Sequence, residues 1–162
     1  MKNTISVLIP VYFNEDSLPK LFEELDLVEK DLRKKQICLE LIFIDDGSGD
    51  KSLDILLEFK KTRPETIIIK LTRNFGAVKA VKAGLKFVTG NAFSVLSADL
   101  QDPPNLILEM VDRWLSGSKF VICVRRTRDD PLVKKNLAKL YYKILQLIVI
   151  KNYPDGGYDL SL

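Results

Sequence analysis

Apolar runs rich in β-branched residues alternate with segments of helical periodicity along the chain, and this alternation limits the possible folds more than any other feature. Five strands are predicted, at residues 5–11, 38–44 and 66–71, at the run of Phe93, Val95 and Leu96, and at 120–124. The helical segments between them include Leu18, Leu53, Ala77 and Leu106. Such repetition implies right-handed crossovers and an open, mostly parallel sheet with helices on both faces. We predict a three-layer α/β fold with residues 1–162 in one domain.

Polar residues follow each of the predicted strands. Sheets of this kind bind ligands beyond the carboxyl ends of their strands, so separate polar clusters would meet at one edge. Two acidic turns and two arginine-containing turns at successive strand ends favour a ligand site there. The clusters are residues 12–15, 45–48, 73–76, 97–102 and 125–128.

The segment after the fourth strand predicts a cation site. Side chains alternate along an extended chain, so Ser97, Asp99 and Gln101 would point the same way. Hydroxyl, carboxylate and amide oxygens suit Mg²⁺, which takes its remaining ligands from phosphate and water. The alternative is a polar turn in which Asp102 caps a helix that starts at the two prolines after it.

The pair Asp45 and Asp46 has three interpretations. Asp46 or Ser48 could cap the next helix by accepting a backbone N–H. One carboxylate could instead meet ribose hydroxyls or a base edge while the other positions cations. An acidic pair beside a third Asp also occurs as the phosphoacceptor site of receiver domains, but there the pair follows the first strand, whereas here it follows the second.

Several classes of chemistry are excluded by what the sequence lacks. The 162 residues contain no histidine, which excludes imidazole bases and Ser-His-Asp triads. No glycine-rich phosphate-binding fingerprint follows the first strand, so phosphates would be neutralised by a metal at Asp99 and by arginines. Cys38 and Cys123 lie in predicted apolar strands and are expected to be reduced core thiols.

The net charge of +3 is unevenly placed. Residues 119–152 carry nine Lys or Arg against two acidic residues, which indicates an anionic partner for that segment. A basic amphipathic helix at 134–150 would either lie on an anionic membrane or pack its apolar face on the sheet. No segment is long enough to span a bilayer and no secretory signal is present, so a cytoplasmic protein, at most peripheral on the membrane, is expected.

Five motifs together resemble the inverting family 2 glycosyltransferases with a GT-A fold, which is a Rossmann-like fold. Within that family the chain looks most like the polyprenyl-phosphate sugar transferases, of the dolichyl-phosphate mannose synthase and bactoprenol glucosyltransferase type. The motifs are Ile9-Pro10-Val11-Tyr12-Phe13-Asn14-Glu15, Asp45-Asp46-Gly47-Ser48, Arg73-Asn74-Phe75-Gly76, Ala98-Asp99-Leu100-Gln101-Asp102-Pro103-Pro104 and Gly156-Gly157-Tyr158-Asp159.

The resemblance implies a transferase that uses Mg²⁺ or Mn²⁺ and moves a sugar from a UDP- or GDP-sugar to a polyprenyl or dolichyl phosphate, or to a glycan. A nucleotide-sugar binding module with weakened catalysis is the alternative. The implied partners are the donor and a lipid acceptor at a membrane surface; nucleic acid is not expected, and self-association is left open. A phosphate acceptor arrives ionised and needs no general base, whereas a sugar hydroxyl would need Asp102 or Asp159.

The resemblance also assigns roles to residues. Pro10, Tyr12, Glu15 and Asp46 would hold the nucleoside, and residues 73–76 would line the acceptor side. Asp99 and Gln101 would be the metal ligands. The residues expected in substrate binding are Pro10, Tyr12, Glu15, Asp45, Asp46, Arg73, Asn74, Gly76, Ser97 and Ala98. Those expected in catalysis are Asp99, Asp102, Arg125, Arg128 and Asp159, with the two arginines on phosphates.

Two departures from the family pattern matter. Ser97 stands where members usually have Asp, so cation binding is expected to be weak without nucleotide. Members also continue past the Gly-Gly-Tyr-Asp motif into more of the catalytic domain and then transmembrane helices. Residues 1–162 are therefore expected to be the amino-terminal part of a longer domain, with residues 153–162 mobile or used in self-association.

Overall fold

A computed structural model describes residues 3–124 and 158–162. Strands and helices alternate through the first 115 residues, as the hydrophobic pattern predicts. The strands are β1 (Asn3–Val11), β2 (Ile37–Asp45), β3 (Ile67–Lys70), β4 (Ala92–Val95), β5 (Ile122–Val124) and β6 (Tyr158–Ser161). The helices are α1 (Leu18–Lys34), α2 (Ser52–Thr62), α3 (Ala77–Gly84) and α4 (Leu106–Leu115), with a 3-10 turn at Leu85–Phe87 after α3.

The first four strands form a parallel sheet in the order β3-β2-β1-β4. β1 lies inside the sheet, paired along its whole length with β2 and over Ile5–Leu8 with β4. The register aligns Val11 with Asp45, so the carboxyl ends of β1 and β2 lie level at the same edge. The predicted parallel α/β sheet is confirmed.

Helices cover both faces of this sheet. Alternate β1 residues, such as Ile9, pack in the larger core with apolar residues of α1, α2 and α4. Leu8 and Ile44 face the other way and pack against Ala80 of α3. A Cβ on Gly84 would lie 2.8 Å from Ile44 Cδ1, so glycine allows α3 to lie close to the strands. The helix ends at this glycine, and the 3-10 turn follows it directly.

The fifth strand is present but is not part of the parallel sheet. β5 pairs antiparallel with β6, and β6 lies near β4. Leu160 and Leu162 are buried in the larger core, so the expectation of a mobile segment is wrong for these two residues. Arg125, Arg128 and the amphipathic segment 134–150 lie outside the described residues.

Of the two cysteines, only Cys123 is partly buried as predicted. Burial is the main cause that raises the pKa of its thiol, and the negative charges of Glu109 and Asp102 raise it further. Cys38 is exposed, and the prediction of a core thiol is wrong, because it lies at the amino end of β2 where the strand's buried pattern is interrupted. Within the described ranges, no helix has the length and apolar character needed to cross a bilayer.

Candidate functional site

The loops after β1 and β2 are bonded to each other at the carboxyl edge of the sheet. The backbone N–H of Asn14 donates to Ser52 Oγ at 2.8 Å, and that of Phe13 donates to Ser48 Oγ at 3.2 Å. Glu15 is bound twice: its N–H donates to Asp50 and its carboxylate accepts the N–H of Lys51. Glu15 therefore serves as a scaffold between the loops.

Tyr12 presents an aromatic surface beside these loops. Its side chain is 46% exposed and lies edge-on to the ring of Phe13, with centroids 4.7 Å apart. The N–H of Tyr12 donates to Asn14 Oδ1, and Phe13 adopts a left-handed φ of 54°. The tight turn directs Tyr12 outward, as a residue that stacks on a base requires.

Asp46 connects the second polar cluster to the third. Its side chain is 2% exposed, and its Oδ1 and Oδ2 accept the N–H groups of Phe75 and Gly76, each at 2.8 Å. The helix-capping interpretation is wrong for Asp46 and Ser48, because α2 begins at Ser52 and its N-cap position is Lys51. Asp46 instead fixes the turn before α3.

The backbones of the same two turns touch at Gly47. A Cβ there would lie 2.6 Å from the carbonyl carbon of Arg73, and Gly47 has a φ of +73°. The guanidinium of Arg73 lies 4.6 Å from the ring centroid of Phe75, a cation–π contact. Asn74 Oδ1 accepts the N–H of Gly76 at 2.9 Å, which closes the turn. The cluster 73–76 thus holds an exposed arginine in a defined place.

Asp45 lies beneath these turns. It is fully buried; Oδ1 accepts the N–H of Ser48 at 3.2 Å, while Oδ2 is buried without a hydrogen-bond partner among the described residues. Its register position beside Val11 places this carboxylate at the end of the central strands.

The segment after β4 is a turn and not an extended strand. β4 ends at Val95, and Leu100 has a left-handed φ of 61°, so the predicted alternation of Ser97, Asp99 and Gln101 is wrong. The three residues are still brought together, because Asp99 Oδ1 accepts Ser97 Oγ–H at 2.8 Å and the N–H of Gln101 at 3.1 Å. The N-cap position of the following helix is Asn105 and not Asp102.

This turn can hold a hard divalent cation only if a bound phosphate and water supply further oxygen ligands. Asp99 is exposed, and its Oδ2 accepts no hydrogen bond from another described residue. No group of three or more His, Cys, Asp or Glu suited to a metal occurs in residues 3–124 and 158–162. One carboxylate with the oxygens of Ser97 and Gln101 fits a cation that draws its other ligands from phosphate and water.

A cleft of about 470 Å³ lies between the ends of β1 and β4 and the first turns of α3. Four of the predicted site residues, namely Pro10, Ser97, Gln101 and Asp102, line it. Its other wall is apolar and was not predicted as part of the site, because apolar residues at helical spacing predict a helix that packs on the sheet and not a ligand site. The complete lining is Pro10, Ala77, Val78, Val81, Val95, Ser97, Gln101 and Asp102.

Other predicted residues do not line this cleft or lie outside the described part of the chain. Ala98 is 2% exposed and supports the Asp99 turn from the core. Asp159 lies in β6, in a strand beside β4, and the structure does not describe its side chain. The two arginines expected on phosphates, Arg125 and Arg128, fall in the undescribed range.

Comparison with known proteins agrees with this geometry. Residues 6–159 match the family described as Glycosyl transferase family 2. An uncharacterized glycosyltransferase of Synechocystis sp. is 40% identical over 94% of this chain and 48% of its own length. The undecaprenyl-phosphate 4-deoxy-4-formamido-L-arabinose transferase of Klebsiella pneumoniae is 35% identical over 94% of this chain and 46% of its own. The chain spans about half the length of the curated relatives it matches.

A solved structure shares the fold. The mannosyltransferase PcManGT from Pyrobaculum calidifontis, in complex with GDP-Man and Mn²⁺, superposes with a TM-score of 0.59 at 24% identity, over 86% of this chain and 39% of that one. This likeness identifies the sheet and its helices as the GT-A fold. The family match over residues 6–159 and the sequence identity to two glycosyltransferases lead to one conclusion: the chain belongs to glycosyl transferase family 2.

Proposed function

We propose that this chain forms the donor side of a metal-dependent, inverting glycosyltransferase that transfers a sugar from a UDP- or GDP-sugar to a polyprenyl phosphate. The main support is the cleft at the carboxyl edge of the sheet. There Ser97 and Gln101, from the turn that contains Asp99, lie opposite Pro10 and the start of α3. The turn that contributes Ser97 and Gln101 to the cleft also carries the exposed carboxylate of Asp99, and these hard oxygen donors suit a cation on a diphosphate.

The donor would lie across the β1 and β2 loops. Tyr12 offers an exposed ring for the base. Asp46 holds the 73–76 turn, which carries Arg73 and directly precedes the part of α3 that lines the cleft. The Pyrobaculum structure contains GDP-Man and Mn²⁺, which supports a nucleotide-sugar donor and a divalent cation for this chain as well. Glu15 and Asp45 would support the nucleoside site through the loop contacts described above.

Asp99 and Gln101 would hold Mg²⁺ or Mn²⁺. When bound there, such an ion supplies positive charge for the departing nucleoside diphosphate. Ser97 orients Asp99 through its O–H donor at 2.8 Å and leaves the site one carboxylate short of the usual family pattern. The protein then contributes position and charge stabilisation, and a single displacement inverts the sugar carbon.

The acceptor that fits this chain best is a phosphate. A phosphate monoester is mostly a dianion at neutral pH, so it attacks without a general base. The chain has no histidine to act as a base, and the Klebsiella relative is named as an undecaprenyl-phosphate sugar transferase. A sugar hydroxyl acceptor would use Asp102, which lines the cleft, or Asp159 as base. A lipid acceptor also requires a membrane surface near the cleft, and we place the protein peripherally at the cytoplasmic face.

A nucleotide-sugar binding module without turnover is the second candidate. It is favoured by one observation, the neutral Ser97 hydroxyl at the position that supplies a carboxylate elsewhere in the family.

Calorimetric titration tests the donor site. We expect UDP or GDP and the matching nucleotide sugar to bind more tightly in Mn²⁺ than in EDTA. The variant Asp99→Asn should remove this metal dependence, whereas Asp26→Asn, an exposed carboxylate on α1, should leave it intact. Equal affinity of the wild type and Asp99→Asn in Mn²⁺ would refute the assigned metal site.

Transfer to a short polyprenyl phosphate then separates the two candidates. Release of nucleoside diphosphate with formation of the lipid-linked sugar supports the transferase. Tight donor binding without transfer supports the binding module.

A further inference from the structure

One stretch of the chain carries only positive charge. Residues 66–98 contain five Lys or Arg and no Asp or Glu, although the whole chain has 25 basic and 22 acidic residues. All five side chains are exposed, and none forms an ion pair with another described residue. They are Lys70, Arg73, Lys79, Lys82 and Lys86.

Three of these cations share one surface with exposed apolar side chains. α3 packs on the sheet through Ala80 and Gly84, so residues about half a turn away point outward. That outward surface, which we call the α3 face, consists of Val78, Lys79, Lys82, Leu85 and Lys86. Val78 is 84% exposed and Leu85 41% exposed, and Phe87 beside them is 46% exposed.

On the helices at the other side of the sheet, several lysines form ion pairs with acidic side chains of the same helix. Lys20 and Lys34 on α1 lie beside Glu24 and Asp31, and Lys61 on α2 lies beside Glu58. Such i,i+3 and i,i+4 pairs are usual on a solvated helix. The α3 face lacks acidic neighbours throughout its sequence and combines its charge with exposed aliphatic groups.

We propose that the α3 face is a docking surface for an anionic phospholipid bilayer. Lysines on such a face place their ammonium groups among lipid phosphates, while Val78 and Leu85 enter the boundary between headgroups and acyl chains. Val78 also lines the cleft, so a phosphate attached to a lipid would reach the site along the membrane surface. Docking does not depend on the proposed sugar transfer and can be measured without it.

Vesicle flotation of the full chain tests the proposal. We expect binding to phosphatidylcholine vesicles containing about a third phosphatidylglycerol, no binding to phosphatidylcholine alone, and release at high salt because the attraction is screened. Each lysine near an anionic surface strengthens binding about fivefold, so Lys79→Gln, Lys82→Gln and Lys86→Gln together should weaken it about a hundredfold.

A matched triple variant controls for net charge. Lys20→Gln, Lys30→Gln and Lys61→Gln remove the same charge from α1 and α2, on the opposite side of the sheet, and should retain binding. Val78→Asn should weaken binding without changing the net charge.

The proposal fails if the anionic vesicles do not bind, if both triple variants lose binding equally, or if the α3 variant binds like the wild type. It also fails if polyglutamate or RNA binds the α3 face more tightly than the vesicles do. In each case nucleotide titration of the lysine variants reports separately on the donor site, since none of these lysines lines the cleft.

Discussion

Asp46 and Gly76 are joined by a hydrogen bond of 2.8 Å across 30 residues of sequence, from the Gly76 N–H to Asp46 Oδ2. This bond ties the turn after β2 to the turn that starts α3, and so fixes the position of the α3 residues that line the cleft. The carboxylate is buried and its second oxygen holds Phe75 in the same way.

Asp46→Asn should lower both stability and donor affinity. The amide presents one oxygen to two N–H groups and turns its own NH₂ toward one of them, which costs about 1–3 kcal/mol. Urea unfolding measures the stability loss and calorimetry the affinity for the nucleotide. Asp26→Asn, on the exposed surface of α1, should change neither; equal unfolding midpoints for all three proteins would contradict the role assigned to Asp46.

Gly47→Ala should destabilise the protein more than Gly117→Ala. Both glycines have positive φ, of 73° and 103°, so each alanine bears a conformational penalty of about 1 kcal/mol or more. Only at Gly47 would the new Cβ also meet the Arg73 backbone, while nothing lies within 4 Å at Gly117. Thermal unfolding compares the two variants, and an equal loss would show that the two turns do not touch as described.

Ser97→Asp should make cation binding independent of nucleotide. A second carboxylate beside Asp99 repels it when no metal is present and adds a charged ligand when metal is present. We expect a lower melting temperature in EDTA, a larger rise on adding Mn²⁺ than in the wild type, and Mn²⁺ binding by electron paramagnetic resonance without nucleotide. Ser97→Ala, the control, should show no such rise. Weaker Mn²⁺ binding in Ser97→Asp would show that this position does not face the cation.

We expect protonation of Glu40 to lower the free energy of unfolding in acid. Burial alone would raise its pKa, but hydrogen bonds from Ser6 Oγ–H, Thr89 Oγ–H and the Thr89 N–H outweigh burial and hold the pKa of this carboxyl below its usual value. A lowered pKa in the folded state gives stability that is present above the unfolded value, about 4.3, and is lost as the pH falls through the folded value.

The unfolding free energy of Glu40→Gln measures this contribution. The wild type should exceed the variant at pH 7, and the difference should shrink below about pH 4. For Glu23→Gln, at an exposed position of α1, the difference should stay small at every pH. A Glu40→Gln difference that is constant from pH 7 to pH 3 would contradict the assignment.

The parallel sheet and the edge that holds the site were predictable from the sequence, because buried parallel strands are continuously apolar. The second strand, predicted at 38–44, is observed at Ile37–Asp45. The local structure after β4 was not predictable in this way. A carboxylate that accepts the N–H two residues on favours a turn over continued strand, and Asp99 does so with Gln101.

Two further features were not predicted from the sequence: the partner strand of β5 and the basic surface of α3. β5 finds its partner in Tyr158–Ser161, far along the chain, and no local pattern specifies that choice. Counting charge over residues 1–118 hides the acid-free stretch at 66–98, because the acidic residues lie elsewhere in that range. The spacing of Lys79, Lys82 and Lys86 places them on one face of the predicted helix, but only the packing of α3 shows that this face points away from the sheet.

The sheet order β3-β2-β1-β4 has a consequence for how the molecule folds. Thr4 and Asn91 form a hydrogen bond where β1 meets the start of β4, and they are 87 positions apart. The pairing of β1 with β4 therefore closes the longest chain loop among the first four strands. β1, β2 and β3 can assemble over shorter separations, and contacts of high sequence separation form slowly. We therefore expect the cleft between β1 and β4 to be completed late in folding.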